Sequence, residues 1–280
     1  MRSIIKKIIP MPIILLTKYI VYFSIDVFDL ILGRKEPLIP PTRLMFDGPR
    51  GILNYKNNGK IYLDYYIKLC NLKPNEKMLD IGCGIGRKAV PLTKYFDEYG
   101  TYEGIDIVKV GIDWCSNNIT TKYQNFNFQL ADVYSKHYNP YGKYKASEYR
   151  FPFNNESFDF INLTSVFTHM LPEDMENYFS EISRVLKKEG RCLITFFLLN
   201  RESLELINAK KSSKDFKYEI GKYRTTNYYM PEDAICYDES YILHTYVEFG
   251  LKINKPIYYG SWCERKVFLG YQDIIIATKL

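Results

Sequence analysis

The residues best placed for chemistry fall in one short run, Met78-Leu79-Asp80-Ile81-Gly82-Cys83-Gly84-Ile85-Gly86. An apolar strand breaks into a glycine-rich turn and a helix follows, opened by Arg87. Glycines let a backbone approach a ligand where side chains would block it. Dinucleotide sites use G-x-G-x-x-G, whose third glycine serves helix packing. The spacing here is G-x-G-x-G, and an acid, Asp80, precedes the first glycine by two residues. A second acid, Asp106, ends the run Tyr102-Glu103-Gly104-Ile105-Asp106, twenty residues past Gly86, with Ile107 directly after it. A carboxylate there is positioned to accept both hydroxyls of a ribose.

These residues need strands that end together and helices that return the chain. Short apolar runs predict strands over Lys77–Ile81, Thr101–Asp106, Phe126–Leu130, Phe158–Leu163 and Arg191–Phe197. One helical pattern precedes them, at 59–70, and others lie between them, at Arg87–Tyr95, Gly111–Asn118 and Glu173–Leu186. Pro91 is awkward in Arg87–Tyr95 unless it falls in the opening turn. Gly190 is read as the stop of the last. Such alternation argues for a parallel sheet covered on both sides. Ser240–Phe249 reads as a helix, followed by a closing pair of strands at Ile253–Tyr259 and Asp273–Thr278. Residues 198–239 are polar and poorly periodic, as expected of a cap or lid.

The glycine string on a strand–turn–helix resembles motif I of the class I S-adenosylmethionine-dependent methyltransferases. Phe151-Pro152-Phe153-Asn154-Asn155-Glu156-Ser157-Phe158-Asp159 is similar to the L-P-F-x-x-x-S-F-D segment of the type 11 group, with Phe151 in place of leucine. The resemblance covers about residues 56–200 and, more loosely, the final hairpin. It implies an α/β fold: a Rossmann-like methyltransferase sheet, mostly parallel, with a C-terminal antiparallel hairpin and helices on both faces. The resemblance does not explain residues 1–55, which read as an N-terminal amphipathic helix and Pro-rich linker, with 56–280 as the methyltransferase domain.

The resemblance also implies S-adenosylmethionine as cofactor. Asp80, Gly82, Cys83, Gly84 and Gly86 would form the donor loop, Asp106 and Ile107 would hold the ribose, and Thr164 and Ser165 would face the donor from the end of the fourth strand. In the family an acid at the end of the third strand often bonds the adenine amino group; Asp132 matches, but Ser147 or Glu148 could take that role because the segment before Phe151 is long. Arg87 either reaches the cofactor carboxylate or is a solvated helix residue. Asp80 either acts near the cationic donor or only shapes the loop. If the acceptor needs a base, His169 in Thr164-Ser165-Val166-Phe167-Thr168-His169-Met170 is the best placed of three histidines. Its alternative is a histidine that packs the loop before Pro172. Trp114, Tyr149 and the tyrosines of 198–239 are acceptor-pocket candidates, or core.

Composition narrows the partners. The net charge is +6, from 38 basic and 32 acidic residues, without a long Lys/Arg block, so no nucleic-acid partner is expected. The six cysteines include no C-x-x-C pair and no histidine at ligand spacing, so no metal site is expected, and reduced thiols in a cytoplasmic protein are the preferred reading. Arg2, Lys6 and Lys7 precede an apolar stretch that continues to Leu32. As a helix it carries Lys18, Tyr22, Asp26, Asp29 and Gly33 on one narrow stripe. It either packs on its own domain or makes peripheral membrane contact through residues 3–32. The expected activity is methyl transfer to a small-molecule, sugar or lipid-linked acceptor. The alternatives are a nucleotide-dependent oxidoreductase on the same sheet and a non-catalytic membrane-surface or partner-binding module.

Overall fold

A computed structural model describes residues 11–280, with side chains from Leu16 onward. Arg2, Lys6 and Lys7 lie outside the described residues. In chain order the elements are α1 (Met11–Ile31), α2 (Ile52–Lys68), β1 (Lys77–Ile81), α3 (Ala89–Leu92), β2 (Thr101–Asp106), α4 (Lys109–Cys115), β3 (Phe126–Leu130), β4 (Phe158–Leu163), α5 (Pro172–Val185) and β5 (Leu186–Phe196). There follow β6 (Leu198–Leu199), α6 (Arg201–Asn208), β7 (Tyr218–Ile220), β8 (Tyr223–Thr225), β9 (Ile235–Asp238), α7 (Glu239–Glu248), β10 (Leu251–Tyr258) and β11 (Asp273–Lys279).

Seven strands form one sheet in the order β10-β11-β5-β4-β1-β2-β3. β1 to β5 are parallel, and β11 runs antiparallel to both β5 and β10. The fold is the Rossmann-like methyltransferase sheet with its closing hairpin. Both faces of the inner strands are buried, so β1 and β4 read as nearly continuous apolar runs, while the edge strand β3 alternates buried and more exposed residues. Alternate residues supply two cores. Leu79, Ile161, Ile194 and Ile275 pack with Phe179 and Tyr246 of α5 and α7. Met78, Phe160, Leu193 and Ile274 pack with Tyr55 and Tyr66 of α2.

Several elements depart from expectation. The helix expected over Arg87–Tyr95 shrinks to Ala89–Leu92, around Pro91. α5 ends at Val185, not at Gly190, because Leu186 is already extended and pairs with Phe158. The boundary expected near residue 55 falls inside α2. Residues 198–239 contain a small four-stranded sheet, β6-β9-β8-β7, whose strands are too short to show a period.

α1 turns its polar stripe inward. Asp26 accepts from the Thr42 backbone N–H at 2.5 Å and from Arg43 Nη1 at 2.8 Å, and Tyr22 lies under the Arg50 guanidinium. The apolar side faces out, with Leu16, Ile20, Phe28 and Ile31 between 55% and 74% exposed. No helix among the described residues is long and apolar enough to cross a membrane.

Candidate active site

A cavity of about 490 Å³ opens at the carboxyl ends of the parallel strands. Ile81 and Gly82 at the end of β1, Asp106 and Ile107 at the end of β2, and Thr164 and Ser165 after β4 all line it. This is where the chain order reverses across β1, and open α/β sheets bind ligands at that switch point. The volume falls in the range of about 300–1,000 Å³ usual for small-molecule sites.

The loop after β1 is shaped by what its glycines lack. Gly82 and Gly84 have positive φ and line the cavity with bare backbone. A Cβ on Gly82 would come within 2.5 Å of Val166. Gly86 serves packing: a Cβ there would meet Cys115 and Ile119 at 2.9 Å. Cys83 points into the core, where its sulfur fills the space left by Gly104.

Asp106 braces this loop from β2. Its Oδ2 accepts the Gly84 N–H at 2.7 Å and its Oδ1 accepts the Val108 N–H at 2.8 Å. Burial pushes its carboxyl up to about 6, against the pull of these two donors. Each oxygen keeps a lone pair free for a ligand hydroxyl.

Asp80 lies beneath the loop, fully buried and away from the cavity lining. Register sets Asp80 beside Asn162, whose Nδ2 donates to it at 2.6 Å, and the Tyr102 hydroxyl donates at 2.7 Å. Lys88 Nζ stands 3.9 Å away. Burial raises the Asp80 carboxyl against those partners. Burial opposes the charge on Lys88 too, but Asp80 and its neighbours outweigh it and the ammonium is retained. Asn162 in turn accepts from Thr164, tying the buried network to the cavity wall. Ser165 holds a left-handed φ of 60°, fixed by its N–H to Thr195 and its hydroxyl to Gln272. Such strain in a non-glycine residue costs about 1–3 kcal/mol and concentrates at functional sites.

His169 lines the cavity beyond β4. Its Nδ1–H donates to the Glu232 carbonyl at 2.8 Å, which leaves Nε2 with a lone pair. Burial lowers its pKa below the ordinary imidazole range, so the ring is neutral at pH 7. Tyr138 meets the ring edge-on, and His137 pairs with Asp233 at 2.5 Å. These contacts join the long segment before Phe151, Val133 to Tyr149, to the 198–239 segment over the cavity.

Other expectations move. Arg87 is 2% exposed and makes no cavity wall; its donors go to the carbonyls of Asp47 and Pro49 at 2.5 and 3.1 Å. Asp132 lies off the lining because the chain alternates there: Ala131 and Val133 face the cavity, while Asp132 accepts the Lys143 N–H. Ser147 lines the cavity and Glu148 does not. Trp114 and Tyr149 are core, and the lining tyrosines are Tyr134, Tyr138 and Tyr178, none from 198–239. Phe46, Asp47 and Gly48 also line it, unforeseen from sequence, since no local pattern links them to a loop that is far along the chain.

A family model described as a methyltransferase domain matches residues 72–234. "Uncharacterized methyltransferase YcgJ" of Bacillus subtilis is 24% identical over 206 residues, 72% of this chain and 70% of that protein. "Phosphoethanolamine N-methyltransferase 1" of Arabidopsis thaliana is 29% identical over 137 residues, 46% of this chain but only 23% of that relative's length. Among solved structures, a SAM-dependent methyltransferase from Methanosarcina mazei superposes with a TM-score of 0.54 at 20% identity, over 77% of this chain and 98% of the other. The strand order, the glycine loop and the matched segment agree: the chain belongs to the methyltransferase-domain family and has the class I S-adenosylmethionine-dependent methyltransferase fold.

Proposed function

We propose that the chain binds S-adenosylmethionine in this cavity and transfers its methyl group to a small-molecule, sugar or lipid-linked acceptor. One observation carries the reading: a buried carboxylate, Asp106, and the bare backbone of Gly82 and Gly84 converge on one cavity at the switch point of the sheet. The donor supplies a methyl already activated on a sulfonium, so the protein mainly contributes binding, alignment and exclusion of water. Asp106 accepts the ribose hydroxyls through its free lone pairs. Ile107, Ala131 and Val133 offer apolar surface to the adenine. Thr164 and Ser165, both fixed by hydrogen bonds, form the wall nearest the transferable group. His169, neutral and with Nε2 bare, takes a proton from the acceptor where the acceptor carries one.

Calorimetry with S-adenosylmethionine, S-adenosylhomocysteine and NAD tests this on wild type and Asp106→Ala. Binding of the sulfur cofactors alone, lost in the variant, is expected. Binding of NAD in their place would make the protein an oxidoreductase.

In the same reading α1 lies in a membrane interface. A helix that spends its polar stripe on its own domain leaves apolar side chains on its outer sides, and a lipid surface suits them. Removal of residues 1–36 is expected to abolish sedimentation with anionic vesicles. Equal sedimentation of the shortened chain would overturn the assignment.

A further inference from the structure

The stretch between α1 and α2 forms a strap across the carboxyl end of β1. It lies outside the segment matched by the family model, yet Phe46, Asp47 and Gly48 line the cavity. One arginine holds it there and another, within the strap, braces its bend. Arg87 binds the carbonyls of Asp47 and Pro49 from below, and Arg50 Nη1 binds the carbonyl of Thr42 at 3.1 Å.

Asp47 is the charged residue of this stretch that reaches the cavity. Its Oδ2 rests on Gly84, 2.5 Å from where a Cβ would stand, so the loop glycine makes room for the carboxylate. Its Oδ1 is buried without a hydrogen bond, and the Arg87 guanidinium stays 3.6 Å away. A buried carboxylate oxygen without a donor is costly, and an incoming N–H removes that cost. Asp47 also adds to the upward push on Asp106, as expected of two carboxylates that sense one another across a shared cavity. A cation bound beside Asp47 relieves both.

We infer that Asp47 is a donor-site residue supplied by the strap, and that its carboxylate binds the ammonium of the cofactor's methionine arm. This rests on the donor reading above. The contact is charge-assisted and made to a part of the ligand far from the adenosine, so it discriminates between ligands with and without the amino-acid arm.

Calorimetry on wild type, Asp47→Asn and Asp47→Ala tests it, with S-adenosylhomocysteine and 5′-methylthioadenosine as probes. The second probe keeps the adenosine and the thioether and lacks the amino acid. Both variants are expected to bind S-adenosylhomocysteine about tenfold more weakly or worse, with 5′-methylthioadenosine held within about twofold of wild type. Retained nucleoside binding also reports that the variants are folded. Equal losses for both probes would reduce the strap to a wall of the cavity and overturn the assignment, as would no loss for either. A wild-type protein that binds neither probe would instead remove the donor reading, and this inference with it.

Discussion

Asp106 and Gly84 are joined by a 2.7 Å hydrogen bond from the loop backbone to a buried carboxylate. One contact thus sets the shape of the glycine loop and aims the group that meets a ribose. Asp106→Asn loses the charge and offers a donor where acceptors are needed. A loss of about 1.5–3 kcal/mol in donor affinity is expected, the usual worth of hydrogen bonds to a charged group. Titration calorimetry with S-adenosylhomocysteine measures it.

The same carboxyl makes binding pH-dependent. Burial raises it to about 6, so across mildly acidic pH the folded state keeps a proton that the unfolded chain has lost. The stability it contributes is therefore full below the ordinary aspartate range and is lost as pH rises through about 6. Affinity for a cationic donor needs the ionised form and runs the other way. It should rise about tenfold between about pH 5 and pH 7.5. A pH series of donor-induced melting shifts, larger at the upper end, checks the sign; a flat series would exclude Asp106 from the contact.

His169→Gln should leave donor affinity unchanged and lower turnover by about a hundredfold or more if the acceptor must lose a proton. Release of S-adenosylhomocysteine follows the rate. Nitrogen NMR of the imidazole tests the ground state directly: the ring should be neutral at pH 7, with the proton on Nδ1. A proton on Nε2 would remove His169 from the role of base.

Lys88→Met strands Asp80 in the core with only Tyr102 and Asn162 as partners. Removing one member of a buried pair typically costs about 3–5 kcal/mol. Urea unfolding should show a loss of that order, partly recovered when Asp80→Asn is added. A loss below about 0.5 kcal/mol would mean that the pair contributes little to stability.

Ile20→Glu with Phe28→Glu places charge on the outer side of α1, where both residues are more than half exposed. Vesicle binding should fall, while the urea midpoint stays within the about 0.5 kcal/mol typical of surface changes. Unchanged vesicle binding would exclude this face from the contact.

The central strands are legible in the sequence because both of their faces are buried. Lys77–Ile81, Thr101–Asp106 and Phe158–Leu163 read as apolar runs and fold as such, while Phe126–Leu130 lies at the sheet edge and is legible from its alternation of buried and more exposed residues. The start of β5 at Leu186 is not legible, because it depends on pairing with Phe158 rather than on a local signal. Asp132 fails for a related reason. One residue of offset in an extended chain exchanges the two faces, and contacts with the distant Lys143 and Tyr144 decide which face meets the cavity.

By itself, the sequence determined the alternation of strand and helix, the glycine loop, the placement of Asp106 at the end of a strand and that of His169 beyond one. These follow from periodicity and from where a chain must turn. Tertiary structure alone decided which side of α1 faces the body, that Arg87 holds the strap and leaves the cavity wall to others, and that Asp47 reaches Gly84. Those contacts join residues that are far apart along the chain, and only closure of the fold brings their charges and backbone groups within a hydrogen bond or an ion pair of each other.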